Sequence, residues 1–359
     1  MLAGLLLWLL SDFVPALPGY DFQFPRDHGA HNDYRTEWWY YTGHLQTDRG
    51  HRYGFEVTFF RVGVEWRTDN PVCPDRQDCM SSTNWDLHNL APAHFAITDI
   101  DRRQFRFAEK LNRQSPYTAG AATDVLDVFN EGWSATTMPD GAWHIVAFNG
   151  GDSVDLVMRS RKPPAVHGEN GVSVKGEGAG NASHYYSMTR LEVAGSVNKQ
   201  HCRGLAWMDH EFSSSKLAQN EQGWDWFSIQ FDYVSELMLY QMRRTDGTID
   251  PASSGSLITS DGSVIHLRRD QIRIEAAGKW HSPKSSATYP MGWRVSVPSF
   301  GISVTLKPSM MNQELNARAS TDVTYWEGAV DVSGNFGSVV VSGVGYVEMT
   351  GYDRAFRSY

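Results

Sequence analysis

Several marks of common protein classes are missing from this chain. Its 32 lysines and arginines are balanced by 41 acidic residues, for a formal net charge of −9, and no basic run breaks that balance. This excludes a nucleic-acid surface built on a basic stripe. The opening MLAGLLLWLL is apolar, yet it falls short of the about 20 residues that a membrane-crossing helix needs. It reads instead as the hydrophobic region of a secretory signal, without a basic residue before Arg26 and with Val14-Pro15-Ala16 offering small residues for cleavage. Cysteine is scarce, with three in 359 residues. Cys73 and Cys79 bracket CPDRQDC, where a disulfide would staple a polar insertion in an oxidising compartment, and Cys202 is left over. No second cysteine pair or close histidine pair completes a zinc ligand set beside them. A G-x-S-x-G elbow is also absent, and no serine or cysteine stands beside an evident histidine and acid in the sequence. Ester or amide hydrolysis therefore lacks support.

Helical periodicity is equally scarce, and two-residue alternation takes its place. Phe227, Ile229, Phe231 and Tyr233 interleave with Ser228, Gln230 and Asp232, and Ile302, Val304 and Leu306 interleave with Ser303, Thr305 and Lys307. Turn dipeptides at Asp140-Gly141, Asn149-Gly150, Asp246-Gly247 and Asp261-Gly262 punctuate these runs as antiparallel hairpins require. The chain reads as all-β, with short helices expected over residues 81–92 and 209–220. Its length favours two domains, and an internal echo agrees. EWWYYTGHLQTDRGHRYGFEVTFFR and GWDWFSIQFDYVSELMLYQMR each run aromatic strand, polar turn, apolar strand. Each opens one antiparallel barrel on this reading, and a barrel of about eight strands has room for one small elongated ligand. One extended sandwich is the alternative. Aromatic residues make up 13% of the chain and include 13 tryptophans, enough to furnish both a sheet core and the walls of a cavity. Trp39 and Tyr41 on the first aromatic strand, and Trp224 and Trp226 on its echo, are the candidate ligand-binding residues.

Two stretches carry groups capable of chemistry. FPRDHGAHNDYRTEWWYYTGHL (24–45) places Asp27, His28, His31 and Glu37 close together. That invites a metal reading, although His28 and His31 lack further ligands held on a helix or turn. The structural reading is that Arg26, Asp27, Arg35 and Glu37 pair where the chain enters the barrel, so no metal site is assigned. The second constellation is HYYSMTRL (184–191) followed by GLAWMDHEF (204–212). Alternation puts His184 and Tyr186 on one face of a strand, and Trp207 and Asp209 on one face of the next, so that both strands converge on one cavity. His210 and Glu211 then point elsewhere. A carboxyl group in such a cavity is desolvated, which raises its pKa and makes it a proton donor near neutrality. A buried Asp209 that caps a turn or pairs with an arginine is the structural alternative.

These motifs, with GWDWFSIQF, YWEGAVDV and GVGYVEMTGY, resemble those of the CrtC/AttH-like family of double lipocalin-like proteins over nearly the whole chain. The resemblance implies two consecutive lipocalin-like antiparallel β-barrel domains, with residues 1–18 a signal peptide or its remnant, 19–203 the N-terminal domain and 204–359 the C-terminal domain. It implies a hydrophobic ligand (isoprenoid, polyene or lipid-like) near the junction, and the activity of the carotenoid 1,2-hydratases, which protonate a C=C bond and add water without an organic cofactor. Asp209 would be the acid, with His184, Tyr186 and Trp207 beside it as catalytic residues. This chain has Trp207 where the hydratases carry Tyr, Tyr186 where they carry Trp and Glu211 where Asn is usual. Bacterial members are exported proteins labelled hydrolases, often encoded beside ABC-transporter components. A non-enzymatic periplasmic carrier of a hydrophobic molecule, working with such a transporter, is therefore the second expectation. The oligomeric state is left open.

Overall fold

A computed structural model describes residues 13–64, 88–215, 217–218 and 220–356. The expected signal segment lies largely outside the described residues, as do Cys73 and Cys79, while Cys202 is buried and free. Two antiparallel sheets of 13 and 10 strands carry the fold. The first runs from strand Thr36–Thr47 to strand Gln200–Ser213, and the second from strand Glu221–Phe231 to strand Val339–Thr350. Both aromatic echoes occupy the same place in their sheets. Thr36–Thr47 pairs with Arg52–Gly63 on one side and Gln200–Ser213 on the other. Glu221–Phe231 likewise pairs with its following hairpin strand, Glu236–Arg244, and with the last strand of its sheet.

Each sheet curls around its own apolar filling. Trp39, Tyr41, Phe55, Phe95, Trp133 and Tyr186 lie inside the N-terminal barrel. Phe227, Leu239, Tyr289, Trp293, Trp326 and Val347 lie inside the C-terminal one. Side chains bridge the seam of the first barrel where the ladder does not: Asn130 Nδ2 donates to Ala91 O at 2.7 Å, and Asn112 Nδ2 to Asn130 Oδ1 at 2.8 Å.

Strands far from the junction keep the expected alternation. Strand Ile302–Pro308 buries Ile302, Val304 and Leu306 and exposes Ser303, Thr305 and Lys307. Strands at the junction lose it. Tyr40 and Tyr41 are both buried, as are Tyr185 and Tyr186, and Met208 and Asp209. One face of these strands looks into its own barrel and the other is covered by the second barrel. The two barrels are tied together by polar contacts. Lys162 Nζ and Arg190 Nε, from the first, bond Glu236, from the second, at 2.7 and 2.5 Å. His94 Nδ1 and Tyr325 Oη lie 2.7 Å apart. At Gly54 the barrels approach so closely that an added Cβ would stand 2.5 Å from the Tyr346 hydroxyl.

Two expectations are corrected. The domain boundary at 203/204 falls inside strand Gln200–Ser213, which belongs wholly to the first sheet; the change of sheet comes between Ser213 and Glu221. Residues 209–213 and 89–92 are strand where short helices were expected, and the helical turns among the described residues are three 3-10 turns at Arg26–His28, Arg269–Gln271 and Pro298–Phe300. Strand pairing overrode the local polar composition at those two places.

Candidate active site at the barrel junction

Between the barrels lies a cavity of about 210 Å³. The register of three neighbouring strands builds its N-terminal wall. Asp209 stands opposite Tyr40 on one side and Ser187 on the other, and Glu211 stands opposite Trp38 and Tyr185. Residues directly opposed in an antiparallel pair project to the same face. One face therefore carries Trp38, Tyr40, Tyr185, Ser187, Asp209 and Glu211. The C-terminal barrel supplies Trp224, Trp226, Tyr240, Met242 and Glu348.

Asp209 is 4% exposed and receives three hydrogen bonds. Tyr185 Oη donates to Oδ2 at 2.6 Å, Trp207 Nε1 donates to Oδ1 at 2.5 Å, and Ser187 Oγ also donates to Oδ1. Oδ2 thus has one donor where Oδ1 has two, and it keeps room for a proton. Behind this shell, Trp226 Nε1 donates to Tyr185 Oη at 3.0 Å. Since Ser187 gives its proton to Asp209, it accepts one from His167 Nε2 at 2.6 Å, and His167 Nδ1 faces Ser256 Oγ at 2.8 Å. Burial lowers the His167 pKa to about 3, so the ring is neutral. Burial raises the Asp209 carboxyl to about 7, against the pull of the three donors and with a further push from Glu211.

Lys175 Nζ pairs with Glu211 at 2.9 Å and sits 4.3 Å from the Tyr240 ring centre. Burial works against its charge, but Glu211, Tyr240 and Asp209 together outweigh burial and the Lys175 pKa stays raised. Among the described residues Glu348 accepts one hydrogen bond, from Trp224 Nε1 at 3.2 Å, and burial raises its pKa to about 7. Deeper in the junction Tyr40 Oη donates to Glu327 at 2.7 Å, and burial holds that carboxyl well above the usual carboxylate range.

Of the eight site residues read from the sequence, four meet here. Asp209, Trp224 and Trp226 line the cavity and Trp207 bonds the acid. The other four face the opposite way. His184 Nδ1 bonds Gly171 O at 2.6 Å and its ring packs on Tyr20. Tyr186 Oη lies 2.7 Å from His28 Nδ1 and 3.0 Å from His210 Nδ1. Trp39 and Tyr41 belong to the N-terminal barrel core, and their neighbours Trp38 and Tyr40 take the cavity side. The physical reason is register. Alternation tells which residues of one strand share a face, but not which face of the next strand meets it, and Ser187 opposite Asp209 puts the odd-numbered residues of 185–189 with the acid. Glu211 follows Asp209 by two and shares its face, contrary to the expectation that it points elsewhere. Ser187, His167 and Asp209 do come together, but Ser187 is fully buried and gives its proton to the acid, so it is no nucleophile.

The doorway cluster closes the end of the N-terminal barrel. Glu37 is fully buried and accepts from Arg61 Nε at 2.9 Å, His31 Nδ1 at 2.8 Å and His210 Nε2 at 2.8 Å. Those partners outweigh burial and hold its pKa well below the usual range. His31, Glu37 and His210 offer ligand atoms within 4.8 Å of one another. The Arg61 guanidinium already supplies the positive charge this carboxylate needs.

Comparisons with known proteins follow the same architecture. A protein of Nitrosomonas europaea crystallised under the name AttH is 33% identical, with a TM-score of 0.82 over 95% of this chain and 100% of that one. Kievitone hydratase of Nectria haematococca shares the fold at 15% identity, with a TM-score of 0.67 over 96% of this chain and 98% of its own. The dehydratase asqC of Emericella nidulans is 21% identical over 151 residues, which span 41% of this chain and 42% of that relative. Residues 15–352 match the AttH-like family profile, and the chain belongs to the AttH-like family.

Proposed function

We propose that the protein is a hydro-lyase that adds water across a C=C bond of an apolar molecule, or removes it, in the cavity between the barrels. The observation that carries this reading is Asp209, a buried carboxyl with a pKa near neutrality that borders an aromatic cavity. A general acid works best with a pKa close to the working pH. The tryptophan and tyrosine faces around it offer π density to a carbocation formed after protonation. The hydratase and dehydratase among the relatives point to the same reaction class. The volume bears on the substrate: a cavity of roughly 150 Å³ accepts benzene, so about 210 Å³ accommodates one ring with a short branch, or one end of a longer polyene. A carotenoid would have to extend beyond these walls. The carrier reading needs only the apolar walls and gives no role to three donors converging on one carboxyl.

Prenylbenzene joins a ring to a trisubstituted alkene and serves as the probe. Asp209→Asn is expected to cut conversion to the tertiary alcohol at least about 100-fold while leaving affinity, read by tryptophan fluorescence, within a few-fold. Equal turnover in the variant would overturn the proposal.

A further inference from the structure

Building on the hydro-lyase reading, we infer that Glu348 is a second catalytic residue, the base that takes a proton from the attacking water while Asp209 protonates the alkene. Glu348 stands opposite Trp226 on neighbouring strands of the C-terminal barrel, and Trp226 reaches Asp209 through the Tyr185 hydroxyl. The two carboxyl groups thus border one cavity from different barrels. Of the other acids nearby, Glu211 is engaged by Lys175, and Glu327 lies behind Tyr40. Among the described residues Glu348 receives a single hydrogen bond, from the Trp224 indole, which leaves acceptor capacity for a water.

The electrostatics fit a pair that shares one proton. The titratable groups that influence Glu348 or are influenced by it are Asp209, Glu211, Lys175, Glu56 and Tyr40 from the N-terminal barrel, and Glu327 and Tyr325 from its own. Lys175 favours the charged form of Glu348, whereas Asp209 and Glu211 oppose it. Two nearby carboxyls of similar acidity do not both ionise readily. Near neutrality one of the pair is neutral and the other charged, which is the state acid–base catalysis requires.

In the hydration step, Asp209 gives its proton to one alkene carbon, and the π electrons form the new C–H bond. Water oxygen bonds the cationic carbon, and Glu348 takes one water proton. The products are the alcohol, an Asp209 carboxylate and a neutral Glu348. Return of the proton from Glu348 to Asp209 through solvent resets the site, and dehydration starts from that opposite protonation state.

The test uses the full chain and prenylbenzene in D2O. Wild type is expected to form deuterated tertiary alcohol. Glu348→Gln should lose alcohol formation at least about 100-fold yet still exchange deuterium into recovered alkene, because Asp209 can donate and retrieve a proton alone. Its pH–rate profile should lose the acidic limb. Formate should restore part of the alcohol formation to Glu348→Ala, which a merely structural role would not allow. Alcohol formation by Glu348→Gln at the wild-type rate would overturn the role of Glu348 and leave the hydro-lyase reading intact. Wild type that forms neither alcohol nor exchanged alkene would overturn both.

Discussion

A carboxyl group whose pKa rises on folding must weaken the fold as pH increases, and at Asp209 the effect is large enough to measure. Its ordinary value is 3.8 and its folded value about 7, so between these pH values the folded chain holds a proton that the unfolded chain has lost. Because the unfolded state binds fewer protons there, stability is full below the unfolded pKa and declines as pH rises towards the folded pKa, after which it levels off. A tenfold change in acidity corresponds to about 1.4 kcal/mol. Integrated with those two values, the Asp209 contribution costs about 1.7 kcal/mol at about pH 5 and about 4.3 kcal/mol at about pH 8. Asp209→Asn removes this dependence, because an amide does not titrate. Relative to wild type, the variant should gain about 2.6 kcal/mol between about pH 5 and about pH 8, whatever its offset from the changed hydrogen bonding. Urea denaturation of both proteins at the two pH values measures this difference of differences. An offset that stays the same at both pH values would mean that Asp209 ionises as in water, and the case for its acting as an acid would collapse.

Three other outcomes are expected. Tyr185→Phe deletes the donor to Asp209 Oδ2 and should move the Asp209 midpoint above about 7 by roughly one pH unit or more, since a hydrogen bond to a charged group contributes about 1.5–3 kcal/mol; carboxyl-labelled NMR titration reads it, and an unmoved midpoint would count against the bond. Arg61→Met leaves the buried Glu37 without its cation and should destabilise the protein by about 3–5 kcal/mol, seen as a lowered urea midpoint; a loss below about 1 kcal/mol would show the pair to be dispensable. Lys175→Met should raise the Glu348 midpoint, because Lys175 favours the charged carboxylate there, and a fall on NMR titration would contradict that assignment.

Much of the architecture is legible in residue order because strands announce themselves locally. The alternation of Ile302, Val304 and Leu306, and the matching aromatic openings at residues 37 and 223, point to two antiparallel barrels, and the sheets have that form. What alternation leaves unspecified is how one strand meets the next. Parity alone groups His184 and Tyr186 with Asp209, and the pairing of Ser187 with Asp209 reverses that grouping. The same ambiguity hides Tyr185 beside Tyr186, and Trp38 and Tyr40 beside Trp39 and Tyr41. At the junction both faces of each strand are covered, so hydrophobicity distinguishes neither. Glu211 is recoverable by counting two residues from Asp209. Lys175 and Glu348 are not, since one precedes a junction strand in a loop and the other sits in the last strand of the other barrel.

The close approach at Gly54 bears on more than packing. The proposed donor of the alkene proton rides on one shell and its proposed partner base on the other, so the thickness of the spacer between the shells gauges the gap that a substrate would have to bridge. A methyl group placed there would act as a shim, altering reactivity from outside the cavity without touching a single lining side chain.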